Sequence, residues 1–131
     1  TGTVLDLLMS ATGRVFAAWM PKKIIAPLIA EELKHAVLPP ELRSKAAVEE
    51  LLTQIRRQGY AATNGQHKVP GVEAVAAPVF NFKNEITMAL LVVGVQGMFD
   101  ISPEGEVVKG LIRHAEALSL RLGANGEPQQ P

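Results

Sequence analysis

The chain has 131 residues, enough for one hydrophobic core but not for two. Its composition, 47% hydrophobic and 20% charged, excludes a disordered polypeptide. Lys plus Arg balance Asp plus Glu, 13 against 13, so the domain has no electrostatic footprint for nucleic acid or for an anionic membrane.

Cysteine is absent, which removes a disulfide framework, a thiolate nucleophile and a Cys-based zinc site. That fits a reducing cytoplasm, the expected location. No apolar run approaches the ~18–20 residues of a membrane span, so no membrane partner is expected. Thr1 is not a natural start, and the sequence reads as part of a longer chain.

In chain order, residues 4–8 suggest the end of a strand. The stretch 10–20 reads as a helix that Ser10 or Thr12 can cap, with Val15, Phe16 and Trp19 as its apolar stripe and Pro21 as its stop. A second helix is expected over 22–36, kinked or started at Pro27. The pair Pro39–Pro40 breaks the chain. Ser44 then caps a helix carrying Val48, Leu51, Leu52 and Ile55 on one face, and Gly59 ends it in the left-handed region.

Residues 59–63 read as a short strand and 64–71 as a polar loop. Two strands follow, 72–80 and 85–93, joined by a hairpin at Lys83 and Asn84. A loop over 94–101 leads to a last helix with Ser102 as cap and Pro103 in its first position. Val107, Val108, Leu111, Ile112, Ala115 and Leu118 form its buried stripe, Gly123 ends it, and 124–131 is a frayed tail. The order predicts an α+β domain over 1–123: a twisted, mostly antiparallel sheet with helices packed on it.

The catalytic inventory is thin, and no enzymatic activity, cofactor or metal is expected. His35, His67 and His114 show no metal-ligand spacing. There is no nucleophile-elbow motif and no dinucleotide fingerprint. His35 and His114 read as solvated helix residues. His67 lies in the loop that leads into the strand 72–80, where it can meet an anionic ligand or simply face solvent. At the entrance of the first helix, Ser10 and Thr12 add hydroxyls to free backbone N–H groups. That combination either caps the helix or holds a carboxylate or phosphate.

Five stretches in order resemble one family: GTVLDLLMSATGRVFAAWMP, RRQGYA, PGVEAVAAPVF, ALLVVGV and a closing helix ending in LSLRLG. Together they look like the C-terminal effector-binding domain of IclR-type transcription regulators, over residues 2–123. The resemblance implies a GAF/profilin-like fold that binds a small organic acid and assembles as a homodimer or tetramer. It further implies DNA binding only through an N-terminal helix-turn-helix domain absent from this sequence. The opening helix and first two strands of the family's domain are absent as well.

Carried over by position, the ligand site uses Met9, Ser10, Ala11 and Thr12 at the helix entrance. Thr63, Asn64 and His67 come from the loop segment, Val72 and Ala74 from one strand, Leu91 and Val93 from the next. Where many members have small hydroxyl residues, this chain has Leu91 and Val93, so a more apolar pocket and a larger or aromatic ligand are expected, the family's effectors often being small carboxylates or aromatic acids. The acidic run after GYA becomes TNGQHK, which suits an anion. A domain that only dimerises, with no physiological ligand, is the alternative reading.

Overall fold

The computed structural model describes residues 7–35, 42–63, 71–95, 97–98 and 100–124. Four helices, α1 (Ala11–Trp19), α2 (Lys22–His35), α3 (Lys45–Gln58) and α4 (Glu106–Arg121), accompany three strands, β1 (Ala61–Thr63), β2 (Val72–Phe80) and β3 (Ile86–Val95). The strands form one antiparallel sheet in the order β1-β2-β3, as an α+β domain requires.

β2 is the middle strand and has a helical layer on each face. On one side Ala61 and Ala76 join Val15, Ala18 and Trp19 of α1, backed by Val48, Leu52 and Ile55 of α3. On the other, Val75, Ala77 and Val79 meet Val108, Leu111 and Ala115 of α4. Ala76 and Ala77, adjacent in sequence and both wholly buried, therefore point to opposite layers. This explains the small apolar run of β2: short side chains bring a helix close on either face. Its one charge, Glu73, is spent on the chain itself, its Oε1 accepting the N–H of Gly97 at 2.9 Å.

The helix boundaries follow local chemistry. Ser10 Oγ accepts the Gly13 N–H at 3.0 Å and Ser44 Oγ the Ala47 N–H at 3.1 Å, so both serines act as N-caps. Gly59 closes α3 with φ 89°, a conformation that costs glycine little. Asn84, at φ 59°, turns the β2–β3 hairpin.

Four expectations need correction. Leu7 to Met9 form a turn, not the end of a strand, and residues 4–6 lie outside the described residues. α2 starts at Lys22, anchored by the Pro21 carbonyl, and continues through Pro27. β3 extends to Val95, because its last residues keep pairing with β2 as far as Val72. α4 begins at Glu106 with Gly105 as its N-cap, not at Pro103. The reason is upstream: Asp100 Oδ1 accepts the Ser102 N–H at 2.9 Å, and the Ser102 carbonyl accepts the Gly105 N–H at 3.0 Å. That turn uses the capping chemistry one step before the helix.

Candidate functional site

The register of the sheet assembles two rungs on the face that α1 covers. Thr63, Ala74 and Val93 are cross-strand partners in one; Ala61, Ala76 and Leu91 form the next. Val72 pairs with Val95 beyond them. Ala76 is sealed under α1, and Ala74 packs against the same core. Toward β3 the cover ends: Leu91 is 49% exposed, Val93 56% and Val95 60%. The face thus runs from a closed core under α1 to an open apolar shelf on β3.

The helix entrance beside it is held by two charged side chains that sequence reasoning passed over. Glu32 of α2 is buried, and its carboxylate accepts the Leu7 N–H at 3.0 Å and the Leu8 N–H at 2.8 Å. Arg14 of α1 is buried too; its Nε donates to the Leu8 carbonyl at 2.8 Å and its Nη1 to the Ala62 carbonyl of β1 at 3.1 Å. The turn before α1 is therefore fixed from both sides, and α1 is tied to the sheet. A signal existed in the sequence: a charge within an otherwise apolar helix face needs an internal partner.

Within α1, the Gly13 N–H goes to Ser10 Oγ and the Arg14 N–H to the Ser10 carbonyl. The N–H groups of Ala11 and Thr12 have no partner inside the helix, and they stand at its positive end. Met9, Ser10 and Thr12 are half-buried. Ala11 is 2% exposed and gives its side chain to the core, so only its backbone can face a ligand. The arrangement offers backbone donors beside an apolar shelf, suited to holding an anionic head and an apolar body. Asn64 and His67 lie outside the described residues.

The titrating groups sit elsewhere. Tyr60, on the α4 side of the sheet, donates its hydroxyl to the Ile101 carbonyl at 2.7 Å. Burial, then the negative charges of Glu104 and Asp100, push its pKa up. Asp100 is held below its usual value by hydrogen bonds from the Ser102 backbone and hydroxyl. His114 is exposed, with Nδ1 2.7 Å from the Gly110 carbonyl. Among the described residues no group of His, Asp and Glu could hold a metal ion, and no helix is long and apolar enough to cross a membrane.

Residues 1–120 match the sequence model of the bacterial transcriptional regulator IclR C-terminal domain. The chain belongs to the IclR family. It is 37% identical over 93 residues to the uncharacterized HTH-type transcriptional regulator RhmR of Escherichia coli, covering 71% of this chain and 35% of that protein. With the E. coli HTH-type transcriptional regulator XynR it shares 29% identity over 122 residues, 93% of this chain and 48% of that one. The crystal structure of Pseudomonas aeruginosa HmgR superposes with a TM-score of 0.80 at 39% identity, over 96% of this chain and 49% of that one. The chain thus spans half or less of the length of these relatives. IclR regulators in general bind DNA and small-molecule effectors.

Proposed function

We propose that this is the effector-binding and oligomerisation domain of an IclR-type transcription regulator, and that its ligand is a small organic acid. One observation carries the reading. The donor-bearing entrance of α1, fixed by Glu32 and Arg14, adjoins the sheet face on which Ala74, Leu91 and Val93 fall together. The Ala11 and Thr12 N–H groups, with the Ser10 and Thr12 hydroxyls, take the carboxylate. Val72, Ala74, Leu91 and Val93 take the apolar part, with Met9 beside them. Thr63, Asn64 and His67 belong to the rim. Ligand binding alters association between copies and so the DNA-binding half, which lies in a separate domain in the cytoplasm.

The open shelf of Leu91, Val93 and Val95 also supports a second reading, in which it serves only to dimerise. A thermal-shift screen against small aliphatic and aromatic carboxylates separates the two. Binding to the folded state alone adds about 2.7 kcal/mol at 100 times Kd. The effector reading expects one chemical class to raise Tm and Val93→Glu to abolish the rise. If no acid shifts Tm while the protein self-associates, the dimerisation reading replaces it.

A further inference from the structure

A cavity lies at the other end of β2, away from the α1 entrance. β1 pairs only with residues 74–76, so among the described residues β2 runs on through Pro78 and Phe80 without a strand on that edge. The edge faces away from β3: the Phe80 N–H leaves the sheet to reach Ser119 Oγ of α4 at 2.9 Å. Pro78, two residues earlier, directs its missing N–H the same way, so no ladder bond is lost there. The notch beside this edge encloses about 400 Å³. Its walls include Trp19, Phe80, Ile112, Ala115 and Leu120, with Arg56 among its polar groups.

Two donors there are unused. Arg56 is fixed through Nε, which donates to the Ala18 carbonyl at 2.7 Å, and among the described residues neither Nη group meets an acceptor. Trp19 is only 7% exposed, held edge-on to Phe80 with ring centroids 6.1 Å apart, and its indole N–H also meets no acceptor. No sealed side-chain nitrogen or oxygen among the described residues lacks a partner, so this N–H keeps contact with solvent, and Trp19 is one of the residues that line the notch. Buried indole N–H groups ordinarily find a partner. Glu116, exposed on α4, lines the same cavity and opposes a second negative charge.

We propose that this notch is a second ligand site, distinct from the α1 entrance, for a small aromatic monocarboxylate. The carboxylate is received by the Arg56 Nη groups and the Trp19 indole N–H, and the ring lies among Phe80, Ile112 and Leu120. A dicarboxylate is disfavoured by Glu116. Charge-assisted bonds from a guanidinium already held in place lose little side-chain entropy on binding.

Trp19 is the sole tryptophan, so its fluorescence reports on this site directly. The test titrates the protein with phenylacetate, and with neutral phenylacetamide, following Trp19 emission. Phenylacetate should change the emission saturably and bind tighter than the amide. Arg56→Gln should weaken it about tenfold, the size of one charge-assisted hydrogen bond. Glu116→Gln, at an exposed position, should tighten it. Val93→Glu, in the α1-entrance site, should leave it unchanged. No saturable change, equal affinity for acid and amide, or no effect of Glu116→Gln overturns the proposal. Loss of the signal in Val93→Glu also overturns it, because the acid would then be acting from the other site.

Discussion

Ser119 Oγ accepts the Phe80 N–H at 2.9 Å while donating to the Ala115 carbonyl at 2.8 Å, so a helix hydroxyl takes the place of a strand at this edge of β2, where none pairs among the described residues. Ser119→Ala removes the acceptor and leaves a half-buried N–H. The expected loss is about 1–3 kcal/mol. Urea denaturation should show a lower midpoint at unchanged m. An unmoved midpoint would mean that water replaces the hydroxyl at no cost.

Glu32 accepts two backbone N–H groups of the turn before α1. Glu32→Gln keeps one acceptor and sets a donor against a donor at the other. A loss of about 1.5–3 kcal/mol is expected, the range for a bond to a charged group. Hydrogen exchange at Leu7 and Leu8 should accelerate in the variant more than exchange in α4. Uniform acceleration across the domain would show that the carboxylate stabilises the fold without specifically fixing the turn.

The pH dependence has two limbs. The Tyr60 pKa is raised, chiefly by burial, so the fold favours the protonated phenol. Its contribution is complete below the ordinary tyrosine value of about 10 and is lost as pH rises through the folded value. Asp100 has the opposite sign: its pKa is lowered, so its contribution is complete above the ordinary carboxylate range and lost as pH falls through the folded value. Tyr60→Phe should flatten the alkaline limb of a Tm-against-pH curve, and Asp100→Asn the acid limb. At neutral pH, Tyr60→Phe should cost about 0.5–1.5 kcal/mol for the lost bond to Ile101.

Two glycines near α4 should respond oppositely to alanine. A Cβ at Gly105 would collide with the Asp100 carbonyl, which belongs to backbone and cannot swing aside. Gly110 lies within α4, where the nearest atom to an added Cβ is Arg113 Nη2 at 3.8 Å. Gly105→Ala should destabilise by about 1–3 kcal/mol, as overpacking does. Gly110→Ala should stabilise by roughly 0.4–1 kcal/mol through helix propensity and a less free unfolded chain. Calorimetry of the pair decides it; a shift of the same sign in both would remove the steric argument.

In the proposed effector site, Ala74 is half-buried against the α1 core and Val93, its cross-strand partner, is mostly exposed. Ala74→Phe should therefore lower stability by about 1–3 kcal/mol and also block the ligand. Val93→Glu should leave the folding stability within about half a kcal/mol of the parent, as surface changes do, while abolishing acid-induced stabilisation. If Val93→Glu melts like the parent and still responds to the acid, the shelf does not hold the ligand.

What the sequence made legible was periodic or capped. The 3.6-residue spacing of Val48, Leu52 and Ile55, the short apolar run of β2 bounded by loop and turn residues, and Ser44 and Gly59 at the ends of α3 each act within a few residues. They placed α3 and β2 at their observed bounds. The start of α4 was misplaced because Ser-Pro is a good helix opening in isolation, while Asp100 had already drawn Ser102 into a turn. Pro27 suggested a kink or a helix start; α2 starts earlier, at Lys22, and runs through it, since a proline removes only one backbone donor. The shared face of Ala74 and Val93 follows from period two and the hairpin. Arg14, Glu32 and Glu73 are charges in apolar surroundings, which signals a need for internal partners, but the partners lie up to 48 residues away and no local pattern identifies them.

From Ile86 to Val95 β3 carries no charged side chain, and among the described residues its outer edge has no neighbouring strand. Such an edge accepts whichever backbone arrives first. A strand tethered to the same polypeptide arrives at a rate independent of protein concentration. A strand from another molecule arrives at a rate proportional to it. The reaction order of refolding therefore reports what covers β3, and dilution becomes a means of choosing between a self-contained domain and an assembled one.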